Sequence, residues 1–371
     1  MPTTDTVPTV RDMAGRIAGL GLEQADPLRV PEGAWPELMS ELEIHKLTGL
    51  AVAGAEAGRL ELAEDQLAEL MERQREGMVW ALGLERTLLD LATGFEDHGI
   101  DLVVLKGPAV AHTMYPDPSW RPFGDLDLMV RTADWRRACD LLVELGLERR
   151  LPEPRRGFDE RFSKAAVFRG PKRQEIDLHR TLAQGPFGIW IEADELFEHT
   201  TGLRFGGRAL RRLDDTALLA HACIHAVLGF ERPLLLTVRD VAQIAASSSV
   251  DWDLMGDWAH RWRLGVVFRH AFELISNLWG TPWPVGAGPA MAQRSEDLWA
   301  LEAYTTPRRR RGGSARATLR ALPGLRAKAA YVRALMAPGR DFLAARSGSG
   351  SARRYLQRWT TLVSWMRRAD R

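Results

Sequence analysis

The sequence predicts an α+β protein, with a small mixed sheet flanked by helices and set between an N-terminal helical region and a C-terminal helical domain. Three observations predict this. Apolar residues recur at three- and four-residue spacing through most of residues 35–98. Between 101 and 178 the period shortens to that of strands, and from Asp214 onward the helical spacing returns. Divided at these breaks, the chain falls into residues 1–99, 100–210, 211–300 and a basic helical tail, 301–371.

The elements follow in order. Residues 62–95 carry almost no helix breakers and read as one long helical run. Residues 101–105 (DLVVL) form a short apolar stretch ended by Lys106-Gly107-Pro108, the pattern of a buried strand running into a turn. Pro108 suits the first position of a helix over 108–115. Residues 125–130 (DLDLMV) open with strict alternation and read as a strand. A helix over 132–145 follows, closed by Gly146. Further strands are expected at 165–168 and 174–178. Asp214-Asp215 offers an N-cap for the first of the later helices. Residues 346–352 (RSGSGSA) read as a linker before a last short helix.

With 371 residues the chain can bury a sizeable core. Its two cysteines, Cys139 and Cys223, are isolated, which excludes a disulfide framework and a cysteine-based zinc site. The N-terminus lacks a basic start with an apolar core, and no run of about 18 apolar residues could span a membrane. The expectation is a soluble cytoplasmic protein. Net charge is +1, but residues 305–371 hold 16 Arg and one Lys against two acids, a tail of +15 on a body of −14. Such a tail either meets an anionic partner or docks as solvated helices on the acidic body. Docking is the expectation, because Leu319, Leu322, Leu325, Tyr331 and Leu335 recur near helical spacing and need burial.

Chemistry concentrates at Gly124-Asp125-Leu126-Asp127-Leu128. On a strand, positions i and i+2 share a face, so Asp125 and Asp127 would repel unless neutralised, while Leu126 and Leu128 anchor the other face. A divalent cation resolves that repulsion, and carboxylate-held metals serve phosphoryl and nucleotidyl transfer. Alone, the motif also describes a solvated strand face. Its context adds a third acid, Asp177, between Ile176 and Leu178, a costly placement unless paired or coordinating.

The residues LKGPAVAHTMYPDPSWRPFGDLDLMV and then QEIDLHR resemble a large bacterial family of poorly characterised nucleotidyltransferases within the DNA-polymerase-beta-like superfamily. The likeness extends through AHACIHAVLGF, PLLLTVRDVAQIA and DWDLMGDWAHRWRL and covers roughly residues 70–290. The resemblance implies a nucleotidyltransferase sheet whose catalytic and metal-binding acids are Asp125, Asp127 and Asp177, with Mg²⁺ (or Mn²⁺) as cofactor and an NTP as co-substrate. Asp177 would align or deprotonate the acceptor hydroxyl. Where the superfamily usually has Gly-Ser, this chain has Lys106-Gly107, and Pro108 removes one backbone donor. Gly107 still permits close approach to phosphate, and Lys106 adds a point charge.

Other positions carry two readings each. Arg121 either reaches the triphosphate or is a surface loop arginine, and Gly124 belongs to the same nucleotide-binding loop. His179 shares the strand face of Asp177 and either orients it or the acceptor or makes a structural hydrogen bond, and with His221 and Arg232 it is a possible substrate contact. His221 and His225 have zinc-compatible spacing, but no Glu of the H-E-x-x-H kind accompanies them, so packing is expected. Arg232 and the Arg239-Asp240 pair either bind substrate or tie helices to the sheet.

Family members often lie in gene clusters for modified peptides or surface polysaccharides. The resemblance therefore implies an enzyme moving a nucleoside monophosphate to a small-molecule, sugar or peptide acceptor, with release of pyrophosphate. The alternatives are a toxin-like tRNA nucleotidyltransferase, with nucleic acid held by the basic tail, and a catalytically silent nucleotide-binding protein.

Overall fold

The computed structural model describes residues 9–22, 26–247, 249–305 and 313–347. Helix α1 (Val10–Ala18) leads into β1 (Leu28–Arg29), α2 (Trp35–Ile44), α3 (Thr48–Glu56) and β2 (Leu60–Glu61). β1 and β2 form a short parallel ladder of their own. Helix α4 (Glu64–Asp97) runs 34 residues, about 50 Å at 1.5 Å per residue. It buries Leu84, Leu88, Leu91 and Phe95, a three-to-four spacing that makes one stripe.

The central module alternates short elements: β3 (Val103–Val104), α5 (Pro108–Met114), β4 (Leu126–Met129), α6 (Trp135–Glu144) and β5 (Glu148–Arg149). Then come α7 (Asp159–Phe162), β6 (Ala165–Arg169), β7 (Glu175–His179), α8 (Pro186–Trp190), β8 (Thr200–Phe205) and β9 (Arg208–Leu213). Seven strands form one mixed sheet in the order β5-β6-β7-β4-β3-β9-β8. β4 runs parallel to β7 and β3 parallel to β9; the other neighbours are antiparallel. The mixed α+β fold expected from the sequence is thus present.

The β8–β9 hairpin was not among the expected strands. Gly206 and Gly207 form its turn with φ of 53° and 78°, the left-handed pair that a tight hairpin requires. Few of its side chains are buried beyond Leu203, Phe205 and Leu213, so its apolar alternation is weak. β9 nonetheless lies beside β3 and turns that two-residue strand into an interior one.

The sheet has two different faces. Leu126, Leu128, Ile176 and Leu178 pack with α4 and α6 in one apolar cluster. Met129, on the opposite face of β4, belongs to a second cluster that extends from Met13 to Ala317. That second cluster joins α1–α3 to the helices after the sheet: α9 (Asp215–Leu228), α10 (Leu235–Ala245), α11 (Trp252–Arg261), α12 (Gly265–Trp279) and α13 (Leu298–Thr305). Asp214 caps α9, its carboxylate accepting from Ala217 N, as its position predicted.

The tail continues as α14 (Gly313–Ala321), α15 (Gly324–Met336) and α16 (Arg340–Ser347). α14 packs on α8, and Leu322, Tyr331 and Ala334 join Phe158 and Phe162 in a third small cluster. Docking of these helices therefore agrees with the expectation, and Leu322 and Tyr331 are buried and Leu319 half-buried as expected, but Leu325 and Leu335 are not. Leu325 is 85% exposed and Leu335 37%, while Ala317 and Ala334 are buried in their place. The expected last helix lies outside the described residues. Among the described residues no helix is long and apolar enough to cross a membrane.

Candidate active site

Parallel pairing of β4 and β7 sets Asp127 directly beside Asp177, with Leu126 beside Ile176 and Leu128 beside Leu178. Partners in register point to the same face, so the apolar pairs anchor one side and the two acids meet on the other. β3 lies on the far side of β4 and ends at the Lys106-Gly107 turn, which brings Lys106 to the same spot. Gly107 holds φ +61° and ψ −114°, a conformation that only glycine adopts freely.

Asp127 is 1% exposed. Its Oδ1 lies 2.9 Å from His179 Nε2, and Lys106 Nζ is 3.0 Å from Oδ2, within ion-pair range but off the line of a hydrogen bond. Burial opposes ionisation of Asp127. The Lys106 charge and the His179 hydrogen bond overcome that and hold its pKa well below the usual carboxylate range. Lys106 in turn lies 3.2 Å from His225 Nε2. Burial would lower the Lys106 pKa, but Asp127 and Asp125 more than compensate and raise it.

Asp177 behaves oppositely. Burial first, then the charges of Asp127 and Asp125, push its pKa up to about 7. Its Oδ1 is buried without a hydrogen-bond donor, and the buried Oδ2 of Asp127 has the Lys106 ammonium beside it. Burial lowers the pKa of His179, with Lys164 adding to the effect; burial also holds His221 and His225 well below the usual imidazole range. These rings are therefore neutral near pH 7, and His225 Nε2 accepts from the Lys106 ammonium.

Asp127, Asp177 and His179 each offer one ligand atom, and these atoms lie within 4.8 Å of one another. Among the described residues this is the group of His, Cys and acidic side chains compact enough for a metal ion. The two carboxylates of this group suit a hard divalent cation such as Mg²⁺ or Mn²⁺, whereas an imidazole is not a donor such ions favour.

Asp125, expected to complete the metal set, stands just before β4 and outside this group. It lines a pocket with Lys46, Lys106, Gly107, Arg121, Phe123 and Phe230. Regular pairing begins only at Leu126, so the i, i+2 argument stops one residue short of it. His179 makes a hydrogen bond, as one of its readings had it, and its partner is Asp127 rather than Asp177.

Arg121 is neither a surface arginine nor free to grip a phosphate. It is 4% exposed and forks onto Asp240 at 2.9 and 2.7 Å, while Tyr115 donates to the same carboxylate. Gly124 is exposed, and its carbonyl accepts from Trp80 Nε1 at 3.2 Å. His221 is buried in α9 with its ring 6.5 Å from that of His179, a packing position behind the cluster. Arg232 is exposed on the loop between α9 and α10 and takes no part in the cluster. Arg239 donates to the carbonyls of Ala18 and Leu20, so Arg239 and Asp240 tie helices together.

Sequence reading missed two cations. Lys164 precedes β6, where its carbonyl accepts from Arg180 N and Thr181 N, beside the exit of β7. Burial and Lys106 lower its pKa, and its charge reaches both Asp127 and Asp177. Lys46 holds φ +58° between α2 and α3 and lines the pocket of Asp125. Neither lies within a motif; only strand register and helix packing bring them to the site.

The family described as "Uncharacterised nucleotidyltransferase" matches residues 31–280. The chain belongs to it. This nucleotidyltransferase family match begins well before residue 70, where the likeness seemed to start, and so takes in α2 and α3. Among solved structures, an antigenic nucleotidyltransferase-like protein from Paracoccidioides brasiliensis is 14% identical, with 61% of this chain and 95% of that chain covered and a TM-score of 0.33. That overlap is too loose to carry any residue across. No curated protein matches the sequence. Membership in the nucleotidyltransferase family makes the protein an enzyme of that class, and nucleotidyltransferases generally work with a divalent metal and an NTP.

Proposed function

We propose that this nucleotidyltransferase is of the DNA-polymerase-beta-like kind and moves a nucleoside monophosphate from an NTP to a hydroxyl or phosphate of a small-molecule, sugar or peptide acceptor. The reading is supported most by one observation: the buried carboxylates of Asp127 and Asp177 converge on one sheet face, beside Lys106 and within reach of the Lys164 charge. In the reaction the acceptor oxygen bonds to the α-phosphorus, the bond from that phosphorus to the β-phosphate bridging oxygen breaks, and pyrophosphate leaves.

Asp127 and Asp177 would hold the metal, with His179 keeping Asp127 in place through its hydrogen bond, and the metal would supply charge neutralisation for the triphosphate. Asp177, on the same sheet face, would align the acceptor hydroxyl beside the metal. Asp127 stays ionised throughout, because Lys106 and His179 stabilise its charge. Lys106 and Lys164 offset the negative charge gathered by the triphosphate, and Gly107 lets the backbone approach it. Phe123 and Phe230, in the adjoining pocket, provide apolar walls that exclude water from the reacting groups.

Thermal melting with Mg²⁺ or Mn²⁺ plus each NTP tests this. The wild type should be stabilised by a metal–nucleotide pair through linkage, and Asp177→Asn should lose that shift while folding normally. An equal shift in the variant would place the nucleotide site elsewhere.

A further inference from the structure

The tail helices bury their apolar sides on the body, yet four of their cations pair with nothing among the described residues. Residues 313–347 hold Arg316, Arg320, Arg326, Lys328, Arg333, Arg340 and Arg346 against one acid, Asp341. Arg320, Arg326, Arg333 and Arg340 are exposed and Lys328 is half-buried. Among the described residues Arg326, Lys328, Arg333 and Arg340 make no ion pair or side-chain hydrogen bond. Among the described residues, three polar ties between tail and body use neutral acceptors: Arg155 donates to Ala337 O, Gly339 N to Pro154 O, and Tyr304 to Gln184 O. A tail attached by charge would show carboxylates of the acidic body against these arginines. Instead, docking leaves the positive charge facing water.

A second feature adjoins the basic helices. Arg320 stacks over Trp299 at 4.1 Å, Trp299 meets Trp190 edge-on at 5.9 Å, and Arg263 covers Trp190 at 4.8 Å. Both indoles are partly exposed, so α8, α13 and α14 present a row of alternating guanidinium and aromatic planes. Such planes suit stacked bases as well as phosphate.

We propose that the outward faces of α14–α16, with the Trp190–Trp299 row, bind the phosphodiester backbone of a nucleic acid. Repeated unpaired cations match the regular charge of that backbone. An anionic membrane fits worse, because the apolar sides of α14 and α15 are already buried and Leu325 and Leu335 alone stand out as large exposed apolar residues there. An acidic protein would need an apolar centre that this surface lacks. The proposal concerns binding and does not rest on nucleotidyl transfer.

Fluorescence anisotropy of the full chain with a stem-loop RNA, a single-stranded RNA and a duplex DNA, across a salt series, tests it. Binding of any of the three should weaken steeply with salt. In R326Q/K328Q/R333Q/R340Q the log–log salt slope should fall by about 3, from 0.7–0.9 per cation removed, and affinity by at least about tenfold. The melting temperature and the metal–nucleotide stabilisation should stay as in the wild type. Should that variant fold poorly, the milder R326Q/R333Q should still lower the slope by about 1.5. Asp177→Asn should bind nucleic acid normally, which separates this surface from the carboxylate site. An unchanged slope in the charge variants, no binding at about 0.15 M salt, or binding only to phosphatidylglycerol vesicles would each overturn the proposal.

Discussion

Asp127 and Asp177 sit side by side on one ladder and titrate in opposite directions. The difference lies in their partners: Asp127 has Lys106 and His179, whereas Asp177 has burial and two neighbouring negative charges. The sign of the pH effect follows. The folded-state pKa of Asp177, about 7, exceeds the 3.8 of the free side chain, so the folded state holds this proton more tightly. Stability from Asp177 is full at low pH and falls as pH rises from about 4 through about 7, on the order of 2–4 kcal/mol over that window. Asp127 acts the other way: its contribution is present above the ordinary carboxylate pKa and is lost as pH falls through its depressed value. Denaturant unfolding of wild type and Asp177→Asn between pH 4 and 8 checks this. The Asn variant should lose the decline between pH 5 and 7, and parallel curves would refute the assignment. The two acids were legible in the sequence because a carboxylate between apolar strand residues needs a reason to be there. The roles of Lys106 toward Asp127 and of His225 toward Lys106 were not, since residues 106 and 225 meet only through the packing of α9 on the sheet.

At the scale of elements, the buried pair of Arg121 and Asp240 fixes the loop before β4 to α10, and Tyr115 at the end of α5 joins it. Arg121 Nη1 also lies 3.5 Å from Gly107 O, so the same pair steadies the Lys106-Gly107 turn. Asp240→Ala should destabilise the protein by about 3–5 kcal/mol, because it strands a buried guanidinium, while Arg121→Met with Asp240→Leu should recover most of that loss. Equal destabilisation by the single and double variants, measured by urea unfolding, would contradict a mutually compensating pair. The strands with acids or dense apolar runs were readable from period alone. The β8–β9 hairpin was marked by Gly206-Gly207, but Arg208, Arg211 and Arg212 fill its second strand and mask the alternation. Burial of Arg121 was illegible for a related reason: its partner is 119 residues away.

For the molecule as a whole, the tail behaves as part of the folded body. Phe158 stacks on Tyr331, and Phe162 meets the same ring edge-on. Deleting residues 313–371 should uncover these rings and the surface around Tyr304, lowering stability by several kcal/mol at roughly 1.5–3 kcal/mol per large apolar side chain. Differential scanning calorimetry of the truncated chain reads this directly, and an unchanged transition would mean that the helices contribute nothing. Composition revealed the charge asymmetry of the tail but not its use, because charge counts say nothing about which face of a helix is buried. Likewise, local pattern marked helices on both sides of the sheet without showing that α1–α3 and α9–α13 share one core.

That shared core has a temporal side. Arg239 holds the carbonyls at the end of α1, and Trp279 Nε1 donates to Gly15 O, contacts spanning 219 to 264 residues of chain. During synthesis at roughly 5–20 residues per second, α1 can meet α2 and α3 early, but its partners on α10 and α12 are made much later. Distant closures of this kind raise contact order and slow folding. The core that α1–α3 share with α9–α13 therefore closes only after α12 has been made, and the tail helices dock later still.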